Sequence, residues 1–170
     1  MDGLITGYAS VFGVPDLGRD VVLPGAFAGT LARRGAAGVR MLFQHDPAEP
    51  VGRWLSLRED ARGLYAEGQL NLDVQRGREI AALMCEGALD GLSIGFRTLS
   101  ARPGADGSRR LQGIDLWEIS IVTFPLQPGA RASPSPTPEA IRGLARRIAR
   151  RGAAPPESPC PVFTRDEVPS

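Results

Sequence analysis

The chain has 170 residues, 42% of them hydrophobic, and a formal net charge of +1. This length suits one domain with an appendage, and the near-neutral charge gives no field that would favour nucleic acid or a membrane surface. Cys85 and Cys160 form neither a metal-binding spacing nor a disulfide framework, so we expect reduced thiols and no cofactor. No run of 18 apolar residues and no basic-then-apolar leader is present, which predicts neither a membrane span nor secretion.

The first half of the chain predicts mainly β structure. Residues 63–72 alternate apolar and polar side chains, which is typical of a half-buried antiparallel strand. A short helix is predicted at 26–34, where Phe27 and Leu31 lie one turn apart and Gly35 ends the helix. The remaining predicted strands of this half are residues 4–12, 21–23, 39–44 and 51–57.

The second half begins with the strongest helix pattern, residues 73–89. Asp73 is a suitable N-cap, and an apolar stripe follows at roughly helical spacing. The stripe consists of Val74, Ile80, Leu83, Met84 and Leu89. Strands are predicted at 91–96 and 111–124, with a mobile hairpin loop over 102–109. The whole pattern favours a small antiparallel β-barrel, closed or partly open, with flanking helices, in the mainly β (α+β) class.

The composition changes after Pro125, and we place the end of the folded domain at residue 130. Residues 131–138 are a Pro/Ser linker that cannot form a helix or a central strand. Residues 139–151 predict a short basic helix with five arginines, and the proline-rich residues 152–170 are expected to be disordered. The tail is interpreted either as a tether to an acidic surface or as a solvated extension.

Three polar residues stand on three separate strand-like segments. Ser93 lies between Gly91 and Gly95, the single histidine His45 lies in residues 41–47, and Glu118 stands among apolar neighbours in residues 116–125. A hydroxyl, an imidazole and a carboxylate are the groups that acyl transfer requires. In that reading Ser93 is the nucleophile, His45 the base that accepts its proton, and Glu118 the acid that orients the imidazole.

Structural interpretations of the same residues remain open at this point. Ser93 can be a small residue at a strand crossing, and His45 can end a strand. Glu118 needs a buried partner, and Arg97 would serve as well as His45. Asp46 is the second choice for the third member, since neighbours on a strand point to opposite faces. Oxyanion donors are sought among the backbone N–H groups near Ser93 and the Arg97 guanidinium.

Other chemistries fit the sequence less well. Residues 91–95 match the letters of a G-x-S-x-G elbow, but no helix follows, and the chain is too short for an α/β-hydrolase. One histidine with two distant cysteines argues against zinc, and no phosphate-binding loop is present.

Five segments in order resemble the prohead proteases of tailed bacteriophages, the capsid-maturation serine proteases related to herpesvirus assemblin. The resemblance covers roughly residues 3–132. The segments are residues 7–12, 22–27, 42–53, 91–96 and 116–130. One departure is Pro125-Leu126-Gln127-Pro128, where the family often has Pro-Ala-Asn-Pro.

The resemblance implies a small β-barrel with a serine nucleophile and a histidine base, which fall on Ser93 and His45, while Glu118 falls on the acid of the closing strand motif. It implies an endopeptidase inside an assembling procapsid in the bacterial cytoplasm, acting on scaffold or on the N-terminal region of the major capsid protein, and on itself. It also implies a homodimer. The alternatives are a non-catalytic assembly factor with the same fold and a phage-derived cellular hydrolase. The source can equally be a phage, a prophage or a gene transfer particle.

Overall fold

One mixed sheet contains the eight named strands of residues 2–135, the part of the chain that this computed structural model describes. Two helices accompany the sheet, α1 at Ala28–Arg34 and α2 at Gln75–Cys85. The strands are β1 Leu4–Val11, β2 Asp20–Val22, β3 Arg40–Phe43, β4 Asp46–Glu59, β5 Gly63–Leu70, β6 Gly91–Pro103, β7 Arg109–Val122 and β8 Ala132–Pro134.

Strand β7 organises the sheet because it has neighbours along both edges. Strand β6 pairs with one edge along nearly its whole length, while β2 and β3 pair with the other edge, and both run parallel to β7. From β3 the order continues through β4, β5 and β1 to β8. Arg131 then bridges to Gly91 at the start of β6, so the sheet curls round almost to its beginning. The predicted small barrel of the mainly β class is confirmed, with two parallel pairings in an otherwise antiparallel sheet.

A bulge in β7 shifts the alternation of side chains between the two faces of the sheet. Gly95 pairs with Glu118 and Phe96 pairs with Leu116, which leaves Trp117 without a partner in the register. Ile119 and Leu116 are both fully buried although they are three residues apart, because the extra residue shifts the alternation. Glu118 therefore lies on the opposite face from the core.

The predicted helices are present, but both are shorter than expected. For α2, Val74 rather than Asp73 is the N-cap, and no side chain caps the helix. The Asp73 N–H is instead bonded to the Asn71 side chain, so an Asx-type turn precedes the helix and takes over this role. Of the predicted stripe, Ile80 and Met84 are buried, together with Leu89 beyond the helix, whereas Val74 and Leu83 are about 40% exposed.

The folded body extends beyond the predicted boundary at residue 130. Strand β8 pairs with β1, and Ala130 and Ala132 are buried, so residues 131–134 belong to the sheet and not to the linker. The hairpin turn between β6 and β7 is also shorter than predicted, since both strands extend into the expected 102–109 loop. The basic helix and the proline-rich tail lie outside the described residues. Neither described helix is long and apolar enough to cross a membrane.

Helix α1 completes the hydrogen bonding of β7 in the gap between β2 and β3. The Thr30 hydroxyl donates to the Ile114 carbonyl at 2.8 Å and accepts from the Leu116 N–H at 3.1 Å. Thr30 is fully buried, and the Ile114 N–H donates to the Ala26 carbonyl. One side chain thus satisfies two main-chain groups that no strand reaches.

Thr30→Val is expected to destabilise the protein by about 2–4 kcal/mol, because it leaves a buried donor and a buried acceptor without partners. Valine has nearly the same shape as threonine, with a methyl group in place of the hydroxyl. Urea unfolding measures the effect, with Thr30→Ser as the control that keeps the hydroxyl and loses the methyl group. A Thr30→Val variant no less stable than Thr30→Ser would contradict this role.

Candidate active site

His45 lies in the tight turn between β3 and β4 rather than in a strand. Gln44 and His45 have φ values of 53° and 61°, and Phe43 pairs with Asp46 across the turn. Two successive positive φ values are typical of a two-residue hairpin turn, where glycine or asparagine is favoured. Glutamine and histidine in this conformation are strained, and such strain persists only where the surroundings hold it.

The turn is held in place by β7. The Gln44 N–H donates to the Ile121 carbonyl at 3.0 Å, and the Gln44 side-chain amide donates to the Thr123 hydroxyl at 2.7 Å. The His45 N–H donates to the Ser120 hydroxyl at 3.0 Å. These bonds fix the position of the imidazole against the strand that carries Glu118.

Glu118 makes a hydrogen bond with each of its two carboxylate oxygens. Oε1 lies 2.5 Å from Nδ1 of His45, and Oε2 accepts from the Ser120 hydroxyl at 2.7 Å. The Glu118 side chain is 13% exposed, so solvent screens this pair only in part. The structure thus brings together two of the three predicted residues, with Ser120 as an additional member.

The competing partners of this pair are engaged elsewhere. The Arg97 guanidinium lies 3.6 Å from Asp115, which Arg33 and Arg34 also contact. Its interpretation as the structural partner of Glu118 is wrong, because His45 holds that position and the Arg97 side chain is 65% exposed. Its role as an oxyanion donor stays a prediction. The Asp46 carboxylate accepts from the Ala48 N–H, two residues ahead in the chain, and within residues 2–135 it forms no hydrogen bond with the imidazole.

The contact with Glu118 raises the pKa of His45 above its ordinary value of 6.5. The hydrogen bond to the carboxylate is the main cause, partial burial of the ring opposes it, and the negative charge of Glu118 adds to it. Because Nδ1 faces the carboxylate, Nε2 is the ring atom left to exchange protons with a third group.

Gly95 makes room for the Glu118 side chain. A Cβ built on Gly95 would overlap the carboxylate oxygen and two further atoms of Glu118. The two residues pair directly across β6 and β7, so the Glu118 side chain lies over the Gly95 backbone. A glycine inside a strand often marks such a close approach.

Gly95→Ala is expected to lower the rate of the acyl-transfer reaction predicted for this site about 100-fold with little loss of stability, because the methyl group displaces Glu118 from His45. The overlap involves the end of a side chain, so the strand itself need not move. Steady-state kinetics and thermal unfolding measure the two effects. Gly113→Ala on β7 is the matched control, since its Cβ would meet the Ser100 hydroxyl, away from the site. Equal rates in both variants would contradict the role of Gly95.

Ser93 lies on β6 directly opposite Ser120, so the two side chains are on the same face as Glu118. Ser93 is 7% exposed, and among residues 2–135 its hydroxyl makes no hydrogen bond, including none to His45. Within residues 2–135 every side-chain oxygen that is fully enclosed has a hydrogen-bond partner. The Ser93 oxygen has no such partner, so it is not fully enclosed and retains contact with solvent. In structures without substrate, hydrogen bonds between a nucleophile and its base are often long or poorly aligned, so the absence of this bond does not exclude Ser93 as a candidate.

A narrow cleft runs along β6 at Ser93, which we call the Ser93 cleft. Its walls combine apolar side chains with a few polar ones, among them Ser10, Asp16, Val22, Phe96 and Leu126. The Leu92 N–H donates to the Ala130 carbonyl and therefore points away from β7. Because main-chain groups along a strand point alternately to its two edges, Ser93 and Gly95 bond to β7. The main-chain groups of Ile94, like those of Leu92, face away from β7.

Sequence reasoning did not find Ser120 and Gly95 as members of the site. Both follow from the register of β6 against β7, which the sequence alone does not give. Ser120 is two residues from Glu118, and this spacing places both side chains on one face of a strand. This spacing is the one feature of the sequence that indicates Ser120 as a neighbour of Glu118. No group of three His, Cys, Asp or Glu side chains in residues 2–135 could hold a metal ion.

The fold is that of the assemblin-like capsid proteases. The bacteriophage T4 capsid assembly protease matches with a TM-score of 0.55 at 15% identity, over 70% of this chain and 80% of that chain. The KSHV protease in complex with a hexapeptide phosphonate inhibitor matches with a TM-score of 0.53 at 12% identity, over 86% of this chain and 76% of that chain. At these identities the likeness establishes the fold alone.

Sequence comparison identifies the family. The model of the caudovirus prohead serine protease family matches residues 1–140, so the chain belongs to this family. The prohead protease of Enterobacteria phage HK97 is 40% identical over 128 residues, which is 72% of this chain and 56% of the relative. That of Escherichia phage T5 is 33% identical over 86 residues, 50% of this chain and 40% of the relative. The chain thus spans about half the length of these curated relatives.

Proposed function

We propose that this protein is a serine endopeptidase of capsid maturation, with Ser93 as the nucleophile, His45 as the general base and Glu118 as the third member. The observation that carries the proposal is the Glu118–His45 contact beside Ser93 on the neighbouring strand, a mostly buried serine whose hydroxyl makes no hydrogen bond within residues 2–135. Its membership of the prohead protease family supports the same activity. The substrates we propose are scaffold and the N-terminal region of the major capsid protein inside the procapsid, and the chain itself.

In the proposed reaction, the Ser93 oxygen attacks the carbonyl carbon of the scissile bond while Nε2 of His45 takes the hydroxyl proton. Glu118 accepts a hydrogen bond from Nδ1 and stabilises the imidazolium that forms. The imidazolium then gives its proton to the leaving amine, and water hydrolyses the acyl-enzyme by the same sequence. The Ile94 N–H, which faces away from β7 at the cleft, is our candidate donor to the oxyanion.

Co-expression with the major capsid protein tests this function. With the wild-type chain we expect the intact mass of the capsid protein to fall by a defined N-terminal segment, while without the chain the mass stays complete. A folded chain that joins the particles and leaves every mass complete would instead support a non-catalytic assembly factor. The homodimer stays a prediction, which analytical ultracentrifugation of the purified chain would test.

A further inference from the structure

We propose that the Ser93 cleft selects a lysine or arginine side chain next to the scissile bond, with Asp16 and Ser10 as the recognition groups. This inference rests on the proposed function, because it assigns the substrate class of the same site. It starts from the polar groups that line a cleft with otherwise apolar walls.

Ser10 is a buried hydroxyl that faces the cleft without a partner. The residue is 2% exposed, and among residues 2–135 its side chain makes no hydrogen bond. No side-chain oxygen in this range is both fully enclosed and unpaired, so the Ser10 oxygen keeps some exposed surface, and Ser10 is one of the residues that line the cleft. A hydroxyl that has lost most of its water without gaining a partner is ready to bind a donor from a ligand.

Asp16 places a partly buried carboxylate in the same cleft. Its Oδ1 accepts from the Asp20 N–H at 2.8 Å, while no described side chain donates to Oδ2. Loss of solvent is the main reason that the pKa of Asp16 lies above its ordinary value. A donor that arrives with the substrate would recover part of the lost hydration.

The charges at the cleft are two carboxylates, Asp16 and Asp20, and one nearby guanidinium, Arg109. Asp20 also lines the cleft, but both of its oxygens bind the Arg109 guanidinium, at 2.7 and 2.5 Å. Arg109 forms its ion pair with Asp20, and its charge acts on Asp16 only from a distance, so the three groups together keep a net negative charge. The cleft has a volume of about 30 Å³ in this structure, so a cationic side chain has to widen it on binding. Its methylene groups would then lie against Val22, Phe96 and Leu126, and its charge at Asp16 and Ser10.

A peptide library tests the inference without knowledge of the natural substrate. The library consists of the proteins of a cell lysate, cut by a protease that cleaves after glutamate, so that lysine and arginine stay within the peptides. Mass spectrometry after incubation with the purified full chain then gives the residues on both sides of each new cleavage. We expect cleavage next to basic residues, and Asp16→Asn should lower the ratio of basic to neutral cleavage at least tenfold, about the value of one charge-assisted hydrogen bond.

Asparagine is informative because it keeps the oxygen that accepts from the Asp20 N–H and removes only the charge. Asp73→Asn is the matched control, because Asp73 is an exposed aspartate in the turn before α2 and its replacement should leave the ratio unchanged. Circular dichroism checks that both variants fold. Cleavage without basic preference, or a ratio unchanged in Asp16→Asn, overturns this inference and leaves the proposed function standing. No cleavage of any peptide by the folded wild type would contradict the proposed function and this inference with it.

Discussion

Ser93→Ala is expected, under the proposed mechanism, to slow cleavage of the proposed capsid-protein substrate by on the order of 10⁶-fold, the loss that follows removal of a serine nucleophile. Ser93 and Ser120 lie side by side on one face of the sheet, but only one of them is free to react. Ser120 is fully buried, and its oxygen is occupied by Glu118 and by the His45 N–H. The Ser93 oxygen makes neither bond and retains contact with solvent. Alanine at position 93 removes the attacking atom without disturbing this network.

Ser120→Ala is the matched control for this experiment. It removes one hydrogen bond to the Glu118 carboxylate and one from the His45 main chain, while the Glu118–His45 contact itself remains. We expect a partial loss of rate, much smaller than that of Ser93→Ala. Intact mass of the co-expressed capsid protein over time measures both variants. Persistent trimming in Ser93→Ala together with its loss in Ser120→Ala would move the nucleophile to Ser120, and persistence in both would point to a host enzyme.

Much of the sheet could be predicted from the sequence because its patterns are local. The alternation in β5 buries Leu64, Ala66 and Leu70, and it shows directly in the letters. The segment of Ser93 was predicted as a strand between two glycines, and it forms the start of β6. In such segments each residue type agrees with its neighbours on which face is buried, so no distant contact is needed to infer the strand.

The arrangement of the site depends on contacts between distant parts of the chain, and these could not be predicted. The positive φ values of Gln44 and His45 contradict their local preferences, and bonds to a strand more than 70 residues away maintain them. The bulge at Trp117 determines that Arg97 lies opposite Asp115 rather than near Glu118. Neither feature has a signature in the sequence, because each follows from the register between separate strands.

Glu118→Gln is expected to lower the plateau rate by on the order of 10³–10⁴-fold, because the amide cannot stabilise the imidazolium and favours the wrong tautomer of His45. The pH profile should change as well. In the wild type, Glu118 raises the pKa of His45 above 6.5, so the neutral base is lost as the pH falls through a value higher than 6.5. Glutamine removes that effect while partial burial still favours the neutral ring. The acidic limb of kcat/KM should therefore move to lower pH in the variant.

The same contact links His45 to stability, with a sign that can be checked. A base whose pKa is raised on folding contributes its stabilisation below the unfolded value near 6.5, and the contribution is lost as the pH rises through the folded value. The wild type should therefore exceed Glu118→Gln in stability by more at pH 6 than at pH 8.5. Glu67→Gln, which removes a partly exposed carboxylate that pairs with Arg58, is the control for removal of a charge. The pH profile of kcat/KM gives the outcome that contradicts this account. If its acidic limb in Glu118→Gln stays at the wild-type pH, or moves to higher pH, then the Glu118 carboxylate does not set the protonation of His45. Glu118 would in that case act only in packing the turn against β7.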